Sequence, residues 1–184
     1  VVLAAGASTR LGEPKQLVEL GGERLLERAA RVAREAGLAP LVVVLGCRAE
    51  EIQKTSRLGG ASIVLNRNWA EGMGSSIRAG VSATGGGVDG LILMTCDQPA
   101  AGPEHLRRLV EAGVAKGEAV GSRYAGRVGV PAFFPAPCFI QLLGLRGDQG
   151  ARNLLSEAAA VELPDGELDV DTAANLDAAR QLFE

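Results

Sequence analysis

The chain has 184 residues, the size of one domain of roughly 150 residues or of one domain with an elaborated lobe, which excludes two full domains. Apolar residues make up 47% and charged residues 22%, so a sizeable core can be buried and disorder is excluded as a description. Lys plus Arg number 19 against 22 for Asp plus Glu, a formal charge of −3, which leaves no basic field for a nucleic-acid backbone.

In chain order, VVLAA reads as a buried strand and is followed by a long loop. A helix, ERLLERAARVAREAG, places Leu25, Leu26, Ala29, Val32, Ala33 and Ala36 on one stripe, and Gly37 marks its stop. Strand-length apolar runs LVVVLG, ASIVLN and DGLILMTC then alternate with helix-period segments EEIQKTSRL, GSSIRAGVSA and PEHLRRLVEAGVAKG. The strands are apolar on both faces, as parallel strands covered by crossover helices are. The expected fold is therefore α/β: a three-layer α/β/α Rossmann-like sandwich with a mostly parallel sheet. The run Gly85, Gly86, Gly87 reads as a loop. After about residue 123 the rhythm changes: RYAGRVGVPAFF predicts a hairpin turning at Gly126, followed by short helices and a terminal helix in TAANLDAARQLF, a small C-terminal lobe against the sheet.

The most apolar stretch, Val128 to Leu145, contains Pro131, Pro135 and Pro137 and is not read as a membrane helix. Cys47, Cys96 and Cys138 are far apart and lack C-x-x-C spacing, which excludes a disulfide scaffold and argues against structural zinc. The chain opens at Val1 without an initiator Met, as a trimmed end would, and no charged leader precedes the first strand. A cytoplasmic protein is expected. His105, the single histidine, sits in the first turn of a helix and reads as solvated or capping, which removes hydrolase triads and histidine metal sites from contention.

Four segments carry chemistry. LAAGASTRLGEPKQL leaves 16 residues from Gly6 to Gly21 where roughly 2–6 suffice for a β-α connection. Gly6 and Gly12 permit close backbone approach, and Arg10 and Lys15 supply charge, a combination suited to polyphosphate. The spacing matches neither the P-loop nor G-x-G-x-x-G, and a basic surface loop is the plain alternative. In MTCDQP, Asp97 follows an apolar strand and so points into the crevice at the strand ends, where a carboxylate suits Mg2+; capping the helix near Pro103 is the alternative. In LDVDTAANLD, Asp169 and Asp171 alternate on an extended stretch and are expected to face opposite ways. Asp171 reads either as a second Mg2+ ligand or as the start of the last helix. In NWAEGMGSSIRAGV, Gly72, Gly74, Ser75 and Ser76 open a helix that suits a base, ribose or phosphate, or is simply capped. Trp69 reads as a packing residue, with stacking on a ring as the alternative.

Taken in order, LAAG-x-x-x-R-x-G-x-x-K, N-x-x-W-x-x-G-x-x-x-S, C-D-Q-P, G-x-P-x-x-F from Gly129 to Phe134, G-D-x-G-A-R from Gly147 to Arg152, and D-x-D-T resemble the molybdenum cofactor cytidylyltransferases, within the wider nucleotidyltransferases. The motifs run from Leu3 to Thr172. The resemblance implies cytidylyl transfer from CTP to the phosphate of molybdenum-bearing molybdopterin, with release of pyrophosphate. It places Leu3, Ala4, Ala5, Gly6, Gly12, Gly74, Ser75 and Ser76 at the nucleotide, and Ser76 near cytosine. Arg10, Lys15 and Asp97 become the catalytic group, with Mg2+ on Asp97 and Asp171 and the acceptor beside Gly129, Pro131 and Asp148. Ala5 favours cytosine, since the guanylyl-transferring relatives look like LAGG there. The implied organisation is a single domain, residues 1–184, with 1–122 binding nucleotide and 123–184 on the acceptor side. A molybdenum hydroxylase or its maturation chaperone is the implied protein partner. Two departures stand out: Leu11 replaces a common Met, and no proline follows Thr172. Open alternatives are transfer to a sugar or alcohol phosphate, an NAD(P)H-dependent oxidoreductase, and a non-catalytic cofactor chaperone.

Overall fold

The computed structural model describes residues 1–183. Its centre is a seven-stranded sheet. β1 (Val2–Ala4) lies between β4 (Val42–Leu45) and β6 (Gly90–Thr95), parallel to both, and β5 (Ser62–Leu65) extends β4 in parallel. On the other side β8 (Arg127–Pro135) runs antiparallel to β6 and to β7 (Val120–Tyr124), and β9 (Ala159–Glu162) pairs parallel with β7 at the edge. The C-terminal part thus builds on the same sheet. A separate two-stranded ribbon joins β2 (Glu19–Leu20) to β3 (Glu23–Arg24).

Alternation along the strands supplies two cores. Val2 and Ala4 of β1 face α1 (Leu25–Glu35), α2 (Ala49–Thr55) and α4 (Pro103–Lys116) through Leu26, Ala30, Ile52, Leu106 and Leu109. Leu3 and Ala5 face α3 (Met73–Ala83) and α5 (Phe139–Gly144) through Ile77, Val81 and Leu142. Helices therefore cover both sheet faces, as the continuous apolar strands require. The stripe on α1 is buried as the periodicity demands, and the chain leaves the helix through Gly37 at φ +80°. The helix begins two residues later than its apolar pattern does, because Glu23 and Arg24 are taken into the ribbon with β2.

Between Tyr124 and Arg127 the chain turns on Ala125 and Gly126, both at positive φ, the primed geometry that matches strand twist. A third core forms where α6 (Ala173–Phe183) packs Leu176 and Ala179, with Val170, onto Val18, Leu20 and Leu25. This contact brings the C-terminal segment onto the loop that follows β1. Among the described residues, no helix is long and apolar enough to cross a membrane.

His105 corrects the sequence expectation. It is buried, and its Nε2 lies 2.7 Å from the hydroxyl of Ser122, which is fully buried and donates to the Pro131 carbonyl. With the Ser122 proton committed to Pro131, the imidazole donates from Nε2 and is neutral there. Burial, then the nearby Arg108 charge, lowers its pKa to about 4. One helix face seen in sequence could not reveal that β7 supplies a partner 17 residues away.

Candidate active site

Strand order reverses direction about β1, whose neighbours are β4 on one side and β6 on the other, and ligands of open α/β sheets bind beyond the strand ends at such a point. A cleft of about 860 Å³ lies there, lined by Leu3, Gly6, Arg10, Lys15, Thr95, Asp97, Gln98 and Asp171 among others.

The loop after β1 is folded back by its own polar groups. The N–H groups of Leu11 and Gly12 donate to the Ser8 carbonyl, and the Lys15 N–H donates to the Ser8 hydroxyl at 3.1 Å. Ser8 itself is left-handed at φ 55°, and Gly12 follows at φ +83°, where a side chain would be strained. Gln16 is fully buried, and its amide donates to the carbonyls of Ala4 at 2.8 Å and Gly6 at 3.1 Å, pinning the end of the loop to the end of β1. Lys15 is thereby directed into the cleft.

There the Lys15 ammonium donates to Asp97 Oδ2 and, at 2.5 Å, to Asp171 Oδ1. Arg10 donates to the other oxygen of Asp171 at 3.1 Å. Burial alone would lower the Lys15 pKa, but the charge of Asp97 and the hydrogen bonds to both carboxylates outweigh it, and the ammonium is held well above its ordinary range. Neither carboxylate serves as a helix cap. Asp97 does not cap α4, whose preceding residue is Gly102. Asp171 does not cap α6 either, since the N–H of Asn175 bonds the Thr172 hydroxyl at 3.2 Å.

A second correction concerns Asp169, which lines the same cleft as Asp171 instead of facing away. The stretch is not extended: the Asp169 N–H bonds the Glu167 carbonyl and the Asp171 N–H bonds the Asp169 carbonyl, two tight reversals that cancel strand alternation. Burial, followed by the charges of Asp97 and Asp171, raises the Asp169 pKa to about 6.

The opposite wall holds residues to which sequence reasoning assigned no role. Tyr124, the single tyrosine, donates to the Val130 carbonyl at 3.0 Å, and its hydroxyl lies where a Cβ on Gly129 would stand, 2.5 Å from that position. Gly129 is therefore glycine because the ring rests on it. Gln98 receives the Thr95 hydroxyl and points its amide toward Tyr124; its place inside C-D-Q-P was the available signal. Arg127, with its guanidinium over the Tyr124 ring at 5.3 Å, and Arg152 complete this wall. Gly129 and Asp148 line the cleft. Pro131 does not; it is buried in β8, and its carbonyl serves Ser122.

The helix-start residues also depart from expectation. The Ser75 and Ser76 hydroxyls are buried and both receive the Asn66 amide, and Ser75 also donates back to the carbonyls of Asn68 and Gly72. They brace α3 instead of lining the cleft. Gly74 packs against the backbone of Arg146, with 3.0 Å available for a Cβ. Of the remaining nucleotide-side residues, Leu3 and Gly6 line the cleft, whereas Ala4 and Ala5 are buried behind it and Gly12 shapes the loop. Trp69 packs on Gly46, whose Cβ would meet it at 2.6 Å, so packing prevails over stacking.

The donor set suits a hard divalent cation, since two carboxylates converge on a point that an ammonium fills in this structure. Among the described residues no group of three or more His, Cys, Asp or Glu forms a closed metal cage. A cation on Asp97 and Asp171 would complete its shell with ligand oxygens and water.

Comparison with known proteins agrees with this architecture. Residues 1–162 match the family model of the MobA-like NTP transferase domain. The chain belongs to the MobA-like NTP transferase family. The purine catabolism protein PucB of Bacillus subtilis (strain 168) is 31% identical, covering 98% of this chain and 95% of PucB. The crystal structure of Rv0371c from Mycobacterium tuberculosis H37Rv superposes with a TM-score of 0.84 at 32% identity, covering 98% of this chain and 96% of that one. The same protein in complex with manganese gives a TM-score of 0.82 at the same identity and coverage. Nicotine blue oxidoreductase of Paenarthrobacter nicotinovorans is 43% identical over 84 residues, covering 45% of this chain and 41% of that protein. The family match makes the chain a nucleotidyltransferase domain and supports nucleotidyl transfer as its activity.

Proposed function

We propose that this MobA-like domain transfers a cytidylyl group from CTP to the terminal phosphate of molybdenum-bearing molybdopterin and releases pyrophosphate. The observation that carries the proposal is the meeting of Lys15 and Arg10, from the loop after β1, with Asp97 and Asp171 at the floor of one cleft. An acceptor phosphate is already largely dianionic near neutral pH, its second pKa being about 6, so no general base is needed. One of its oxygens attacks the α-phosphorus, the bond from that phosphorus to the bridging oxygen breaks, and the electron pair leaves with pyrophosphate. Lys15 and Arg10 orient the triphosphate and neutralise charge gathering on the leaving group. Bound Mg2+, held by Asp97 and Asp171, would add charge neutralisation at the phosphates, and the manganese complex of Rv0371c supports divalent metal binding in this fold.

Leu3 and Gly6 border the nucleotide half of the cleft, and Gly129, Tyr124 and Asp148 the acceptor half. Cytosine is favoured over guanine by LAAG: Ala5 is buried, and its carbonyl receives the Cys47 N–H, so the position is fixed from behind. Three unpaired thiols suit a cytoplasmic setting, and a molybdenum hydroxylase or its maturation chaperone would receive the product.

The test is pyrophosphate release across CTP, GTP, UTP and ATP with molybdopterin, sugar phosphates and alcohol phosphates as acceptors. CTP with the molybdopterin acceptor is expected to dominate. A different best pair would reassign the substrates. NADPH oxidation without pyrophosphate release would replace transfer by reduction, and nucleotide binding without either would indicate a cofactor carrier.

A further inference from the structure

The two cations proposed to hold the triphosphate are paired with the two carboxylates proposed to hold the metal. Lys15 touches both Asp97 and Asp171, and Arg10 takes the remaining oxygen of Asp171. Only 17% of the Lys15 side chain and 11% of the Asp97 side chain are exposed, so this contact is shielded from salt and water. Arg10 is 73% exposed and contributes little by comparison.

We infer that Lys15 is a built-in cation that occupies the metal site in the free protein, so that divalent metal binds weakly until a triphosphate draws the Lys15 ammonium away. The inference rests on the metal assignment proposed above and adds its regulation. A divalent ion arriving alone must displace an ammonium and then share the cleft with it, a like-charge conflict. A triphosphate arriving alone frees Lys15 but leaves two carboxylates uncovered beside its own negative charge. Together the ligands exchange partners: Lys15 moves to phosphate and the metal takes Asp97 and Asp171. Metal and nucleotide affinities are therefore coupled, and by linkage each raises the other by the same factor. Gln16 makes the exchange local, because it anchors the adjoining backbone to Ala4 and Gly6 while the flexible Lys15 side chain moves.

The test titrates Mn2+ alone, followed by the electron paramagnetic resonance of the free ion, into the wild-type chain, Lys15→Met, Asp97→Asn and the double variant. Removing the resident ammonium is expected to tighten Mn2+ binding by at least about 10-fold, the scale of a close charge in a part-buried site. Adding Asp97→Asn is expected to abolish that gain. If Lys15→Met binds Mn2+ no tighter than wild type while Asp97→Asn still weakens binding, the resident-cation inference is overturned and the metal assignment survives. If Asp97→Asn changes Mn2+ affinity in neither background, the metal assignment falls with it.

A second measurement needs no variant. The chain has three lysines, Lys15, Lys54 and Lys116, and Lys54 and Lys116 are exposed, so side-chain ammonium NMR resolves Lys15 directly. A persistent Lys15 signal that Mg2+ alone leaves in place and CTP shifts supports the inference; displacement by Mg2+ alone, or a signal as exchange-broadened as those of Lys54 and Lys116, refutes it.

Discussion

Replacing His105 with Gln is expected to remove a specific acid sensitivity. The folded protein holds the imidazole at a pKa of about 4, whereas an unfolded histidine titrates near 6.5. The folded value is the lower one, so the unfolded chain takes up the proton first. The stability tied to the neutral ring is full above about pH 6.5 and is lost as pH falls through 4. A displacement of about 2.5 pH units at 1.36 kcal/mol each gives a loss of about 3 kcal/mol across that window. His105 is 8% exposed and Ser122 is fully buried, so solvent screening removes little of this. A glutamine amide can still donate to Ser122 but carries no titrating proton. Urea midpoints of both proteins, measured from about pH 7.5 down to about pH 4, should diverge in slope, with the wild type losing about 3 kcal/mol more than the variant. Parallel curves would refute the reasoning, because the remaining carboxylates are common to both proteins.

Other outcomes follow from the same contacts. Lys15→Ala should lower turnover by roughly 100-fold or more in a labelled-CTP transfer assay, the scale of losing one preorganised charge stabiliser; wild-type transfer would remove Lys15 from the reaction. Gly129→Ala puts a Cβ 2.5 Å from the Tyr124 hydroxyl, so the ring must move by about 1 Å. The acceptor kcat/KM should fall on the order of 100-fold with nucleotide KM unchanged, and Tyr124→Phe should restore part of it. An equal rise in nucleotide KM would contradict the two-walled cleft. Asp169 has a folded pKa raised to about 6 by burial and by Asp97 and Asp171. Its ionisation therefore opposes folding as pH rises through that value, and Asp169→Asn should raise the urea midpoint at alkaline pH and leave it unchanged in strong acid; the reverse order would disprove the assigned cause.

The layered fold was legible because burial on both faces leaves unbroken apolar strands, and helix stripes repeat at their own period; β1, β4, β6 and α1 all follow those rules. Lys15, Arg10 and Asp97 were legible because a long connection with turn glycines, and an acid placed after a strand, each break the local pattern without a packing reason. What escaped was decided by distant partners. Gln16 looked like a neighbour of Lys15, yet its role comes from two carbonyls at the end of β1. His105 depends on a strand hydroxyl, and Asp169 on two backbone reversals that no alternation rule contains. The bracing role of Ser75 and Ser76 was hidden because Asn66, on another segment, donates to both hydroxyls. The cleft wall around Tyr124 needed the sheet to be assembled before Gly129 could meet it.

The most direct measurement is a crystal structure of the protein with a non-hydrolysable CTP analogue and Mg2+. The triphosphate is expected along the loop after β1, with Lys15 and Arg10 turned from the carboxylates onto phosphate oxygens and the cation on Asp97 and Asp171. A nucleotide seated elsewhere, or a cation bound without either carboxylate, would contradict it.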